Sequence, residues 1–455
     1  MPSPTPARPR VPLTIYIFGA LAELLFGYDT GIIGVSMLSI KKEFDFGTGI
    51  EGLIVSSLLL GAAVGVAAGG RLADRYGRRR VIFGTGIVFA LGGAVAFMAP
   101  GVWTLIAARF VMGLGVGASA SVVSVYLVEV APTRHRGKVG SMGQLMVVIG
   151  VLLAYGVGYL LQSYDSWRWL LGLSVVPALV LGAGVIVLPE TPRWLLLKGR
   201  EDEARRALQR LGRGGSAEAE LATIRDDVSA APASSAGRAV LRRMASPSLR
   251  PSLYGAVGLA LLAQLVGTNS IMYFAPSTLV HAGFGNSAAV AANLGVGTAN
   301  VVFTLVGMAI VDRVGRRPLL MAGCAGMAAS MIALAVITAL GLPRDSTAWL
   351  TLLCMIGFLA SFAASWGVCV RVVISELFPA EIRGSATGFV LVLNWLSNFA
   401  VSQLFPTLMA TSAVLSFSIF GAFCLVALAF VRALLPETGQ GRDLETRHRE
   451  SVRAA

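Results

Sequence analysis

Along most of this chain apolar residues run in long blocks, and the basic residues gather in the short turns between them. A helix needs about 20 predominantly apolar residues to cross the hydrocarbon core of a bilayer. Blocks that satisfy this ruler fall at 13–38, 51–70, 80–99, 102–128, 139–162 and 169–188. After a polar stretch, six more follow at 252–280, 287–311, 318–340, 348–376, 384–409 and 411–434. The pattern predicts an all-α membrane protein with twelve transmembrane helices in two sets of six. The polar stretch, 189–250, holds short charged helix-like pieces such as Glu201 to Leu211 between Gly/Ser/Ala-rich breaks. It reads as a linker of amphipathic helices. The expected organisation is a tail (1–12), a six-helix bundle (13–188), a helical linker domain (189–250), a second bundle (251–435) and a tail (436–455).

Composition agrees with this reading. The chain has 455 residues, 55% hydrophobic and 13% charged, where a soluble protein carries roughly 25% charged residues. The net charge of +13 does not signal nucleic acid, because the basic residues follow the spans. With both termini inside, all but six of the 37 Lys and Arg residues face the cytoplasm: Lys41, Lys42, Arg168 and Arg344 face out, while Arg109 and Arg371 lie within spans. That asymmetry orients a membrane protein. The polar, Pro-rich N-terminus has no cleavage site ahead of the first span, so that span is expected to be retained. The four cysteines all lie in apolar runs and read as small buried residues. The three histidines have no nucleophile or metal-ligand pattern around them. Neither an enzyme nor a metal site is expected.

An internal repeat marks the two halves. Glu129-x-x-Pro132-x-x-x-Arg136-Gly137 recurs as Glu376-x-x-Pro379-x-x-x-Arg383-Gly384, and Pro189-Glu190-Thr191 as Pro436-Glu437-Thr438, both at an offset of 247. Asp74-Arg75-x-Gly77-Arg78-Arg79 recurs as Asp312-Arg313-x-Gly315-Arg316-Arg317 at an offset of 238. These motifs sit at cytoplasmic ends of spans. Glu129, Glu190 and Glu376, with Arg78, Arg136, Arg193, Arg316 and Arg383, are the candidates for a latch on the inner face. Alternating access requires contacts of this kind, which hold in one state and break in the other.

Ionisable groups within spans are costly, roughly 2.5–3.5 kcal/mol each on insertion scales, and so are functional candidates. Asp29 in the first span and Arg109 in the fourth are read as a facing acid and base, in which protonation of Asp29 releases Arg109. Solutes rich in hydroxyls call for amides and an aromatic face. The candidates are Gln144, Gln264, Asn269, Asn300 and Asn394. Gln264 and Asn269, five residues apart, flank one cavity if the helix breaks at Gly267.

The motifs Gly70-x-x-x-Asp74-Arg75-x-Gly77-Arg78-Arg79, Pro189-Glu190-Thr191-Pro192-Arg193-Trp194 and Pro436-Glu437-Thr438 resemble the sugar porter branch of the major facilitator superfamily, over about residues 15 to 440. The resemblance implies a two-bundle fold with an intracellular helical domain after Pro189. It implies substrate contacts at the five amides and at Trp395, an outer gate at Tyr273, and an acid at Asp29 of the kind that proton-coupled members carry. Two departures stand out. Ala263 replaces the first of two adjacent glutamines, and Val370-Arg371 stands where the branch has Pro and a sugar-stacking Trp. Arg371 lies about 12 Å above the cytoplasmic end of its helix at 1.5 Å per residue, and it is read as a substrate contact.

The expected function is proton-coupled symport of a sugar or sugar-like solute (pentose, hexose or polyol) in the cytoplasmic membrane of a bacterium. The proton is the coupling ion and no cofactor is expected. The expected partners are a small-molecule substrate and the lipid bilayer, with no nucleic acid and no obligate protein. The alternatives are the same fold carrying an anionic sugar acid or another carboxylated metabolite, one exporting a metabolite, or a transport-dead nutrient sensor.

Overall fold

The computed structural model describes residues 13–130, 136–161, 166–211, 217–230, 244, 246–379 and 382–437. Among these, the regular structure is helical, with no strand. Among the described residues, twelve helices are long and apolar enough to cross a membrane. Spans 1 to 6 are Ala20–Glu43, Thr48–Tyr76, Arg78–Phe97, Val102–Val130, Met142–Leu161 and Trp167–Val185. Spans 7 to 12 are Arg250–Tyr273, Asn286–Val314, Arg316–Leu340, Arg344–Glu376, Arg383–Thr411 and Ala413–Leu434. Helices suit this setting because each satisfies its own backbone hydrogen bonds where no water is at hand.

The first bundle is built by span 1 packing on span 5 and by spans 2 and 3 packing on span 4. In the second, span 9 packs on spans 10 and 12, span 8 on span 10, and span 7 on span 11. Small residues set the closest approaches, as expected where packing rather than water expulsion drives association. Gly61 and Gly65 of span 2 lie against the carbonyls of Phe110 and Leu114, while Gly113 and Gly117 of span 4 lie against those of Leu58 and Ala62. A β-carbon at any of these four positions would overlap backbone, so spans 2 and 4 form a rigid pair.

Three spans are broken, span 6 at Leu173–Ser174, between Trp167–Gly172 and Val175–Val185. Span 7 turns at Gly267, whose φ of +86° is left-handed, separating Arg250–Leu265 from Thr268–Tyr273. Span 10 breaks at Ser365, between Arg344–Ala364 and Trp366–Glu376. We call the end that carries residues 76–78, 189–201 and 314–316 the basic end, and the opposite end the far end.

Below the first bundle, at the basic end, the short helices Pro192–Leu197, Glu201–Arg210 and Ala217–Ala230 share a small core of Trp194, Leu195, Ala204, Ala207, Leu208, Ala217 and Leu221. The Trp194 indole donates to the carbonyl of Asp74 at 3.1 Å, and the Tyr126 hydroxyl donates to that of Pro189 at 3.1 Å. The linker is thereby fixed to spans 2 and 4. Residues 212–216 and 231–243 of the expected linker, the tail 1–12 and residues 438–455 lie outside the described residues.

The repeated motifs meet in a shared device. The start of span 3 presents unpaired backbone N–H groups, which attract an anion. Glu190 supplies it, accepting from the backbone N–H of Arg78 at 3.0 Å and of Arg79 at 3.2 Å. In the second half, Glu437 accepts from Arg316 at 3.0 Å and Arg317 at 3.2 Å. Burial pushes the Glu190 carboxyl above the usual range, against the pull of the Thr191, Arg79 and Arg78 N–H donors. Gly77 and Gly315 make room for these carboxylates, with φ of +97° and +90°. A β-carbon at Gly77 would collide with Glu190 Oε2. Gly77→Ala is therefore expected to cost about 1–3 kcal/mol and to lower the Tm of detergent-purified protein. Gly84→Ala, where a β-carbon meets open space, should leave the Tm unchanged or slightly raised.

Candidate functional site

Asp29 and Arg109 face each other as a fork. Arg109 Nη1 donates to Asp29 Oδ1 at 3.0 Å and Nη2 donates to Oδ2 at 3.1 Å. Both residues are 1% exposed. The guanidinium also donates to the backbone carbonyls of Ile54 and Val55 on span 2. Spans 1, 2 and 4 are thus tied at one point. A parallel two-bond pair of this kind is strong and directional, and removing one partner would strand the other charge away from water.

A second polar cluster lies in the other bundle. The Gln264 amide donates to Asn394 Oδ1 at 2.9 Å and its carbonyl accepts from Asn269 at 2.8 Å. The break at Gly267 brings Asn269 back onto the same side as Gln264. Trp395, next to Asn394, meets Phe26 of span 1 edge-on, with ring centroids 5.0 Å apart. Gln144 of span 5 reaches toward span 10, where a β-carbon at Gly367 would stand 3.6 Å from its Nε2. Asn300 is buried in span 8, and no contact places it in the Gln264 cluster. These groups supply amide donors and acceptors beside an aromatic face, on both sides of the boundary between bundles.

Tyr273 is buried, and its carbonyl presses on Gly34 of span 1 so closely that a β-carbon there would meet it at 2.5 Å. Further contacts cross the same boundary at the far end. Ser56 donates to Gln403 at 2.7 Å, Gln403 donates to the carbonyl of Gly49 at 2.9 Å, and the hydroxyls of Thr48 and Thr407 are 3.2 Å apart. The Tyr155 hydroxyl donates to the carbonyl of Met272 at 3.2 Å. The far end is therefore shut.

At the basic end, the paired latch candidates meet within their own bundles. Arg78 stands 3.4 Å from Glu129 and 3.2 Å from Asp74. Arg316 stands 3.2 Å from Glu376. Glu190 caps span 3, Arg383 donates to the carbonyl of Phe378 at 3.2 Å, and Arg193 is exposed. The side chain of Arg136 lies outside the described residues.

A charged contact also crosses between bundles on this side. Arg371 Nη1 donates to Glu23 Oε2 at 3.2 Å. Glu23 is the acid that the sequence reading did not find for Arg371, although it lies inside the first apolar block. Counting every charge within the blocks, not only Asp29 and Arg109, would have found it. The pair spans bundles across 348 residues of sequence, which no local spacing discloses. Sequence reasoning also passed over Asn398, which accepts from Ser402 at 3.1 Å, and Asn293, buried on span 8. No group of three or more His, Cys, Asp or Glu side chains suited to a metal occurs among the described residues.

Comparison with known proteins matches this arrangement. The profile of the sugar (and other) transporter family covers residues 15–450. The glucose transporter GlcP of Staphylococcus epidermidis is 39% identical over 95% of this chain and 95% of its own. The D-xylose transporter of Levilactobacillus brevis is 37% identical over 95% of this chain and 94% of its own. The xylose transporter XylE from E. coli, in a partially occluded inward-open conformation, superposes with a TM-score of 0.81 at 28% identity, over 94% of this chain and 98% of its own. The proton:xylose symporter XylE bound to 6-bromo-6-deoxy-D-glucose superposes with a TM-score of 0.76 at 28% identity, over 94% of this chain and 96% of its own. The chain is a multi-pass membrane transporter and belongs to the sugar porter family of the major facilitator superfamily.

Proposed function

We propose that this protein is a proton-coupled symporter of an uncharged sugar or polyol, working by alternating access with the basic end in the cytoplasm. The observation that carries this reading is the Asp29–Arg109 fork, sealed inside the first bundle and carried on the helix whose Phe26 touches Trp395 beside the amide cluster. A carboxylate held only by a guanidinium, away from water, is a proton acceptor whose occupancy changes how spans 1, 2 and 4 are held together. The relatives named above support the cargo class: one is a glucose transporter, one a D-xylose transporter and one a proton:xylose symporter. The basic turns support the orientation. With the far end shut, the structure then corresponds to an inward-facing, partly closed state.

Glu23 bears on the competing anionic cargo. Arg371 would favour a carboxylate if it stood alone, but its charge is cancelled by a buried acid at 3.2 Å. The cavity gains no net positive charge from it, and a sugar acid gains no counter-ion.

Two outcomes follow. With one proton per solute, a one-unit inward pH gradient supports about tenfold accumulation in proteoliposomes. Asp29→Asn should abolish that accumulation while retaining solute counterflow, and uphill uptake by the variant would refute the assignment. Gln264→Ala removes both the donor to Asn394 and the acceptor for Asn269. It should weaken the solute's apparent affinity roughly 10-fold or more, the usual consequence of stranded polar groups, as read by counterflow KM. An unchanged KM would place the binding site elsewhere.

A further inference from the structure

The contact between Glu23 and Arg371 differs from the Asp29–Arg109 fork in every respect that bears on permanence. The fork has two parallel hydrogen bonds within one bundle and two residues 1% exposed. The Glu23–Arg371 pair has one bond between bundles, and Arg371 is 37% exposed. Glu23 is 2% exposed, yet its Oε1 is buried without a hydrogen-bond partner. A half-satisfied carboxylate opposite a half-exposed guanidinium can be parted at little cost compared with a closed fork.

Its position gives that weakness a use. Glu23 lies three residues from Phe26 and six from Asp29 toward the basic end of span 1, about 9 Å below Asp29 at 1.5 Å per residue. Arg371 lies one turn toward the basic end from Gly367, the residue that Gln144 faces. The pair is backed by span 5, where a β-carbon at Gly143 would stand 3.5 Å from Glu23 Cγ and 3.9 Å from Arg371 Nη1. Spans 1, 5 and 10 therefore converge beneath the polar cluster, on the side opposite the closed far end.

We infer that Glu23 and Arg371 form the inner gate of the substrate cavity: an ionic floor that parts to release solute, and whose internal neutrality keeps the cavity selective for uncharged polyhydroxyl solutes over their acids. The selectivity half rests on the sugar-transport reading above, whereas the gate half does not. While the pair is closed, solute from the cluster meets a bridged floor. When spans 1 and 10 separate, Arg371 moves to solvent and Glu23 Oε2, the oxygen it held, becomes free to accept a hydroxyl. Nothing in this cycle needs a net charge on the cargo.

The gate is tested without substrate. In a chain with Cys324, Cys354, Cys369 and Cys424 changed to alanine, Ser375→Cys places a thiol one turn beyond Arg371 toward the basic end. Its labelling rate by a membrane-impermeant maleimide reports opening in detergent-purified protein. Glu23→Gln and Arg371→Met should each raise the rate about fivefold, the upper range for a half-exposed ion pair. Arg371→Lys, which keeps the charge, should stay within about twofold of the parent. Parental rates in both neutralising variants would overturn the gate, as would failure of the near-isosteric Glu23→Gln to give monodisperse protein, which would make the pair a structural bond. The selectivity half is read from thermal shifts with neutral sugars and the corresponding sugar acids. The parent should respond to neutral sugars only, and Glu23→Gln, with its uncompensated guanidinium, should gain a response to the acids. A parent stabilised by the acids overturns the selectivity half. Expected labelling with no response to any sugar or acid, in parent or variant, would leave the gate standing and refute the proposed cargo.

Discussion

The constraint on which the structure depends is that each bundle must be nearly rigid while the seam between bundles must open. Rigidity comes from backbone proximity. The glycines of spans 2 and 4 put main chains in direct contact, and Gly27 and Gly150 do the same for spans 1 and 5, against the carbonyls of Val147 and Leu24. Interlocked backbones cannot slide by fractions of an ångström, so motion is forced to the seam, where main chains meet at the far end, Gly34 and Gly52 lying against the carbonyls of Tyr273 and Gln403, and polar side chains make the other crossings. The crossing contacts fit this division. Ser56 with Gln403, Thr48 with Thr407 and Arg371 with Glu23 are single polar bonds, each small enough to exchange for water when the cavity turns.

The carboxylates of the repeated motifs belong to the rigid side of that division. Glu190 and Glu437 hold the starts of spans 3 and 9 through backbone N–H groups, and Glu129 and Glu376 stand opposite Arg78 and Arg316 within the same half. A charge network of this kind makes the basic end of each half a stiff plate. In the structure described here it joins elements within halves, which is consistent with a state open or opening at this end. A latch across the halves would require these same charges to find partners on the opposite plate, and Glu376 Oε2 is buried without a hydrogen-bond partner in the present state.

Much of the fold was legible in the sequence because its causes are local. Block length gives the spans, Gly267 gives the break in span 7, and the repeats at fixed offsets give two halves. Asp29 and Arg109 were legible as a pair because both are costly in apolar runs and each is the other's most economical partner. The register of contacts was less legible. Nothing in the spacing of Gln264, Asn269 and Asn394 says that Gln264 is the middle member, since that depends on how span 11 rotates against span 7. Asn300 belongs to the same class of residue but has no contact that ties it to that cluster. Glu23 was missed for another reason: Asp29 had already accounted for the acid in its span, and only three-dimensional packing shows that the helix carries two acids facing different neighbours.

If the fork takes up a proton as proposed, that second acid offers a route by which the event reaches the seam. Glu23, Phe26 and Asp29 are spaced by three residues on one helix, so their side chains step round the axis by about 60° each, and Glu23 and Asp29 lie about 120° apart. Asp29 faces Arg109 inside the bundle, while Phe26 and Glu23 face Trp395 and Arg371 across the seam. A change at the fork need not travel through a chain of contacts between bundles. It acts on the tilt and rotation of span 1 itself, because that helix is held on one side by the fork and on the other by an edge-on aromatic contact and a single ion pair. Relaxing the first hold shifts the balance of the other two in one movement. Under the proposed proton coupling, span 1 would be the rigid element whose two arrangements the fork and the seam both bias, which is the form that energetic coupling between sites requires.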